Sequence, residues 1–238
     1  MGRAISEAAK EQDGIEVVCG VDCVKQPDND VPVFTSFNDV DIPFDMIIDF
    51  SVPSVVEKEV AFALSKKVPL IVGTTGLSEE QVAMLEKASE TIPVFRTANM
   101  SVGVNLQVLL SQIAESVLGK AFDVEIVERH HRLKVDAPSG TALMLADAIA
   151  EKMEEKPEYV YDRQCKREKR TDHEIGIHSV RGGTIVGEHE VSFIGQNEVI
   201  TITHQAFSKG VFAEGALKAA LFLKDKESGM YSMKDILA

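Results

Sequence analysis

The sequence predicts an α/β protein: a Rossmann-like, doubly wound parallel sheet in the first half and an α+β second half with an open mixed, largely antiparallel sheet. Short β-branched apolar runs that end in polar residues alternate with helix-length stretches up to about residue 100, as buried parallel strands and their crossovers do. Three further β-like runs after residue 174 follow one another without intervening helices, with glycines and Asn197 at their turns. The length of 238 residues and the 45% hydrophobic content suffice for one large domain or two modest ones with a real core.

Taken in order, MGRAISEAAKEQDG (1–14) is already helix, and EVVCGVD (16–22), DMIIDFS (45–51), PLIVGTTG (69–76) and IPVFRTAN (92–99) read as strands. VVEKEVAFALSKK (55–67) is a helix, and a second begins at Ser78, where Ser78 and Gln81 make a capping box before an amphipathic stretch to about residue 89. This alternation implies right-handed crossovers and a parallel sheet. After Asn99 come a helix over 104–118, the strand FDVEIVERHH (122–131), a loop, and the helix TALMLADAIAEKM (141–153). Residues 154–174, rich in Lys, Arg, Glu and Asp, read as an exposed connection. The runs GIHSVRGG, IVGEHEVSFIG and EVITITHQAF are strands, and FAEGALKAALFLKD (212–225) is a helix expected to pack back onto the first domain. The domains expected are 1–100 with 211–238, and 101–210.

The net charge of -13, from 38 acidic and 25 basic residues, argues against nucleic acid as a partner, while a small anion in a locally basic pocket stays open. No apolar run approaches the roughly 20 residues that span a bilayer, and the N-terminus lacks the pattern of a signal peptide, so no membrane is expected and the cytoplasm is the expected location. Cys19, Cys23 and Cys165 are odd in number and lack paired spacing, which argues against a disulfide framework and a zinc site. His173 and His178 have no companion ligand at metal spacing, and no metal is expected.

The chemistry concentrates in ERHHRLKVDAPSGTA (128–142), where two histidines, two arginines and a lysine fall within six residues. Paired imidazoles beside an ammonium suit an anion that must also receive a proton. Neighbours on a strand point to opposite faces, so His130 and His131 share a pocket only if the strand ends or twists there; otherwise one is a core histidine and the other exposed. Pro138, Ser139, Gly140 and Thr141 precede a helical periodicity, so that N-terminus offers amides to a carboxylate, caps itself through Ser139 or Thr141, or does both. Gly73, Thr74 and Thr75 end a strand at the carboxyl edge of the sheet, where ligands bind in such folds, with a plain turn as the alternative. Asp22 lies 20 residues after Gly2, close to the spacing between a dinucleotide fingerprint and its ribose-binding acid; the alternative is an ordinary strand end.

These blocks, with VGTTG (72–76), TANMSVGVN (97–105), RGGTIVGEHEV (181–191) and KESGMYSMKDIL (226–237), resemble the 4-hydroxy-tetrahydrodipicolinate (dihydrodipicolinate) reductases of bacterial and plant lysine biosynthesis. The run H-H-x-x-K-x-D-x-P-S-G-T is highly specific, and the blocks extend over almost the whole chain. The family pattern places a strand and a glycine loop ending G-R-M-G-R before the first helix; Met1, Gly2 and Arg3 match its end, so the first strand and most of that loop are expected to be missing.

The resemblance implies hydride transfer from NADH or NADPH to a small dicarboxylate followed by protonation, and a homotetramer. It implies His130 as the catalytic histidine, Lys134 as proton donor, and His131, Gly140 and Thr141 as substrate contacts. The implied cofactor contacts are Gly2, Arg3, Asp22, Gly73, Thr74, Thr75, Thr97, Ala98, Asn99, Met100, Lys209 and Phe212, with Lys209 standing where the family usually has arginine. The dinucleotide then belongs to the first domain, and substrate and assembly to the second, closing over the cofactor as a lid. Asp22 favours NADH by repelling a 2'-phosphate, with Lys25 near enough in sequence to soften that repulsion. Two other readings are an oligomeric or ligand-binding module that has lost its grip on nucleotide, and another nicotinamide-dependent enzyme acting on an amino or keto acid.

Overall fold

The computed structural model describes residues 1–24, 26 and 29–238. The chain divides into two compact units, Met1–Ser101 with Lys209–Ala238, and Val102–Ser208. The first unit opens with α1 (Gly2–Ala9), β1 (Gly20–Val21), β2 (Val33–Phe34), β3 (Ile47–Asp49), α2 (Pro53–Lys66), β4 (Leu70–Val72), α3 (Glu79–Ser89) and β5 (Pro93–Arg96). The second holds α4 (Val102–Leu118), β6 (Asp123–His130), α5 (Gly140–Ala150), β7 (Glu158–Val160), β8 (Glu174–Arg181), β9 (Gly187–Ile194) and β10 (Val199–Ala206). The chain then returns to the first unit with α6 (Gly210–Leu223), β11 (Gly229–Tyr231) and α7 (Met233–Leu237).

In the first unit, β11, β5, β4 and β3 lie side by side in that order and all run parallel, and β1 and β2 form a separate parallel pair. The punctuation of its helices is chemical. Pro53 opens α2, where a missing N–H costs nothing, and Lys67 closes it in the left-handed region at φ 55°. Ser78 and Gln81 form the expected capping box of α3. Val56, Val60, Leu70, Val72, Leu85 and Val94 fill the space between α2, α3 and the sheet. On the other side α1 packs on α6 through Ile5, Ala9, Ala213 and Leu217. Gly215 lets α6 approach closely, because a Cβ there would run into the Met100 carbonyl.

In the second unit the sheet order is β10-β9-β6-β8-β7. β6 pairs antiparallel with β9 and parallel with β8, so the sheet is mixed, and most of its paired residues lie in the two long antiparallel ladders β10–β9 and β9–β6, as expected. Val124, Ile126, Ile177, Val191 and Phe193 of its inner face pack against Ala142, Leu145 and Ile149 of α5. The continuous helical stretch Val102–Ala121 is 20 residues long with hydropathy 1.2, enough to cross a membrane by length and composition, contrary to the expectation that no run came near. Its buried positions include Gln107, Ser111 and Glu115, and the Gln107 amide donates to the carbonyls of His189 (2.8 Å) and Ile202 (2.9 Å), the arrangement of a helix lying on a sheet.

The short elements depart from expectation. Of the run 16–22 only Gly20 and Val21 are in a strand, and β7 sits inside the charge-rich stretch taken for a plain connection. β2 and β11, of two and three residues, have too little length for a period of two to register.

Candidate active site

Alternation along β6 puts Val124, Ile126, Glu128 and His130 on the buried face. The first two join the core, and the last two, at the strand's end, form a polar pair: His130 Nδ1 lies 2.6 Å from Glu128 Oε2. Glu128 is fully buried. Arg181, at the end of the neighbouring β8, donates from both terminal nitrogens to the two carboxylate oxygens at 2.6 Å each, and from one of them to the Asp136 carbonyl at 2.7 Å. The Ser139 amide donates to Glu128 Oε1 at 3.1 Å. Burial works against ionisation of Glu128, but the hydrogen bonds from Arg181, Ser179 and His130 outweigh it and hold its pKa down at about 2. His130 is lowered by burial and partly restored by Glu128, with Lys134 and Arg181 adding to the lowering.

The strand ends at His130, and His131 begins a turn. Its Nδ1 is buried without a partner among the described residues, and its carbonyl accepts from the Lys134 amide at 3.1 Å. The Lys134 ammonium lies 2.9 Å from Asp136, whose carboxyl it lowers. Ser139 is the N-cap of α5, its hydroxyl accepting from the Ala142 amide at 3.1 Å, so Gly140 and Thr141 are the first two residues of the helix. The capping function of this loop is therefore met by Ser139.

Four residues that sequence reasoning left without a role complete the cluster: Glu128, Arg181, Gly187 and His189. His189 faces Glu128 in the β6–β9 register, stacks edge to face on His130 at 5.1 Å, and has Nε2 2.8 Å from the Ser139 hydroxyl. Burial, and then the charge of His130, push its pKa down to about 3. Gly187 lies so close that a Cβ would stand 3.2 Å from His130 Nε2. Glu128 carried a usable signal, because two residues before His130 on a strand is the same face. Arg181, Gly187 and His189 lie on strands whose placement beside β6 only the register reveals.

In the first unit, Gly73, Thr74 and Thr75 follow β4, and Thr97, Ala98, Asn99 and Met100 follow β5, both at the carboxyl edge of the parallel sheet. Thr74 is buried, and its hydroxyl accepts from the Ser51 amide at 2.9 Å, so much of the GTT turn is structural. Gly73 has no room for a side chain, since a Cβ would come 2.9 Å from the Phe50 ring. Thr97 folds its hydroxyl onto the Asn99 carbonyl at 2.9 Å, and Met100 is buried. Lys209 is the N-cap of α6 without a side-chain cap bond, and Phe212 is half-buried one turn on.

Arg3, in the first turn of α1 after Gly2, bonds Gln26 Oε1 at 3.1 Å, and Gln26 donates to Asp22 at 2.7 Å, so the helix start and the strand-end acid are linked through one amide. Hydrogen bonds from the Val24 amide, then Cys23, lower the Asp22 carboxyl and keep it an acceptor. Lys25 lies outside the described residues. A pyridine nucleotide fits this donor set: an ionised carboxylate for a ribose diol, a helix N-terminus for phosphate, and a glycine turn at the sheet edge. Among the described residues no cluster of metal-ligating side chains occurs.

A nucleotide-competent α/β unit, joined in one chain to a unit that keeps imidazole, ammonium and guanidinium groups together, defines a pyridine-nucleotide-dependent reductase. The dihydrodipicolinate reductase family models match both parts, the N-terminus model over residues 1–100 and the C-terminus model over 103–237. A 4-hydroxy-tetrahydrodipicolinate reductase of Caldanaerobacter subterraneus subsp. tengcongensis is 52% identical over 237 residues, covering 100% of this chain and 94% of that relative. One of Clostridium tetani is 48% identical over 100% of this chain and 92% of the relative. The solved dipicolinate-bound dihydrodipicolinate reductase of Paenisporosarcina sp. TG-14 superposes with a TM-score of 0.79 at 25% identity, covering 99% of this chain and 94% of that one. The chain belongs to the dihydrodipicolinate reductase family.

Proposed function

We propose that the chain catalyses the NAD(P)H-dependent reduction of 4-hydroxy-tetrahydrodipicolinate to tetrahydrodipicolinate, in the diaminopimelate route of lysine biosynthesis, in the cytoplasm. The observation that carries this reading is the folded form of the 128–142 block: His130, the loop bearing Lys134, and the N-terminus of α5 all converge on Glu128 and its partner Arg181. When bound, the reduced nicotinamide supplies the hydride. The chain's own residues bind the dicarboxylate and manage the proton that must follow.

Gly140 and Thr141, at the positive end of α5, take one substrate carboxylate, and His131 and the Lys134 ammonium take the other. Lys134 delivers the proton to the reduced ring, and His130, as the imidazolium that the Glu128 carboxylate favours, stabilises through Nε2–H the negative charge that builds there before it arrives. Residues 1–100 with 211–238 form the nucleotide-binding domain and 101–210 the substrate-binding and assembly domain. Gly2, Arg3 and Asp22 serve the adenosine side, and Gly73, Thr74, Thr75, Thr97, Ala98, Asn99, Met100, Lys209 and Phe212 the nicotinamide side. Asp22 makes NADH the preferred donor, since a 2'-phosphate would meet its charge.

The chain assembles as a homotetramer through the helix-free face of the five-stranded sheet, where Val199, Thr201, Thr203 and Gln205 of β10 are exposed. Sedimentation equilibrium giving four chains per particle supports this, and a monomer refutes it. The activity is tested by following NADH absorbance after adding freshly generated 4-hydroxy-tetrahydrodipicolinate. Substrate-dependent loss of absorbance is expected, and no loss with either nucleotide would overturn the reading.

A further inference from the structure

We infer that Glu128 is the positioning residue of this site, a buried carboxylate that fixes the tautomer of His130 and anchors the two anion-binding segments around it. Its hydrogen bonds to the site's own groups use both oxygens, beside the one from Ser179. Oε2 meets His130 Nδ1 and one Arg181 nitrogen, and Oε1 meets the other Arg181 nitrogen and the Ser139 amide, all between 2.6 and 3.1 Å. Through Ser139 it holds the start of α5, where Gly140 and Thr141 lie. Through Arg181, which also donates to the Asp136 carbonyl, it holds the loop that carries Lys134. One carboxylate thus sets the mutual placement of proton-handling and carboxylate-binding groups, and placement errors of about 1 Å are costly to rate.

The chemical consequence falls on His130. A carboxylate is an acceptor only, so its contact with Nδ1 keeps the proton there and leaves Nε2, the nitrogen turned to the bare Cα of Gly187, for substrate. The titratable and charged groups around the ring are Glu128 on its own strand, Arg181 on β8, the neutral His189 on β9 and Lys134 in the loop; among them Glu128 alone favours the imidazolium. Without Glu128, burial and two cations would act on the ring unopposed. An orienting carboxylate of this kind is worth orders of magnitude in turnover where a wrong tautomer results from its loss.

The catalytic part of this inference rests on the reductase reading, but its direct test does not need turnover. Nitrogen-15 histidine spectra of the whole chain, titrated with pH, report the tautomer and midpoint of His130. In the wild type the neutral ring should carry its proton on Nδ1. In Glu128→Gln the midpoint should fall by about one pH unit or more, a tenfold change in proton affinity per unit. kcat should fall about 100-fold, with a smaller change in KM. Glu128→Asp, which keeps the charge, should keep the Nδ1 tautomer and recover part of the rate. A wild-type ring protonated on Nε2, or an unchanged midpoint in Glu128→Gln, overturns the inference. Should Glu128→Gln fail to fold with Arg181 uncompensated, the wild-type tautomer and the Glu128→Asp midpoint decide. Absent turnover in the wild type would overturn the reductase reading and leave the spectra to judge Glu128.

Discussion

Ser139 and His189 meet at 2.8 Å, hydroxyl to Nε2, and both are buried. The same hydroxyl caps α5, so one oxygen serves a helix terminus and an imidazole on the neighbouring sheet. Ser139→Ala removes the cap and strands a buried ring nitrogen, and should cost about 1–3 kcal/mol. Urea unfolding measures it, and a midpoint indistinguishable from wild type would show that the contact contributes nothing.

His189 also sets an acid limit. Its pKa falls from 6.5 to about 3 on folding, chiefly through burial. Between those values the unfolded chain binds a proton that the folded chain refuses, so this residue makes stability fall as pH drops from 6.5 toward 3. His189→Gln should flatten the dependence of stability on pH in that window, and an unaltered slope would locate the acid sensitivity elsewhere.

Glu59 acts in the opposite direction. Burial, with the Asp49 charge second, pushes its pKa from 4.5 up to about 9, and its Oε2 has no partner among the described residues. The unfolded chain gives up this proton while the folded chain keeps it, so the associated stability is complete below pH 4.5 and is lost as pH rises toward 9. Glu59→Gln should raise the thermal midpoint at about pH 8 and change it little at about pH 4. Equal shifts at both would contradict a raised pKa.

Gly187→Ala probes space rather than charge. The added Cβ would stand 3.2 Å from His130 Nε2 and 3.5 Å from its Cδ2, forcing the ring to move. Turnover should drop about tenfold or more while the unfolding midpoint shifts by no more than a conservative overpacking cost of about 1–3 kcal/mol. Unchanged kcat would mean that the ring position is not critical.

Much of this was legible in the residues themselves. The run 122–131 read as the strand that β6 is, and Ser78 with Gln81 announced the start of α3 through local hydrogen bonding alone. What escaped depends on partners distant in sequence. The Arg181 fork on Glu128 spans 53 residues, and His189 comes opposite Glu128 only through the antiparallel register. Gln26, which ties Arg3 to Asp22, looks like any polar loop residue until the turn is folded. Met100 and Thr74, which motif matching marks as nucleotide contacts, also carry structural work that only the fold reveals: packing buries the first, and the Ser51 amide engages the hydroxyl of the second.

The central claim is that the 128–142 block performs the chemistry while the other unit holds the nucleotide. The most direct test measures steady-state reduction of 4-hydroxy-tetrahydrodipicolinate by wild type, His130→Gln and Lys134→Ala, with NADH affinity determined separately by calorimetry. The account predicts a loss of turnover of about 100-fold or more in each variant with nucleotide affinity nearly unchanged. Wild-type rates in both variants would contradict it.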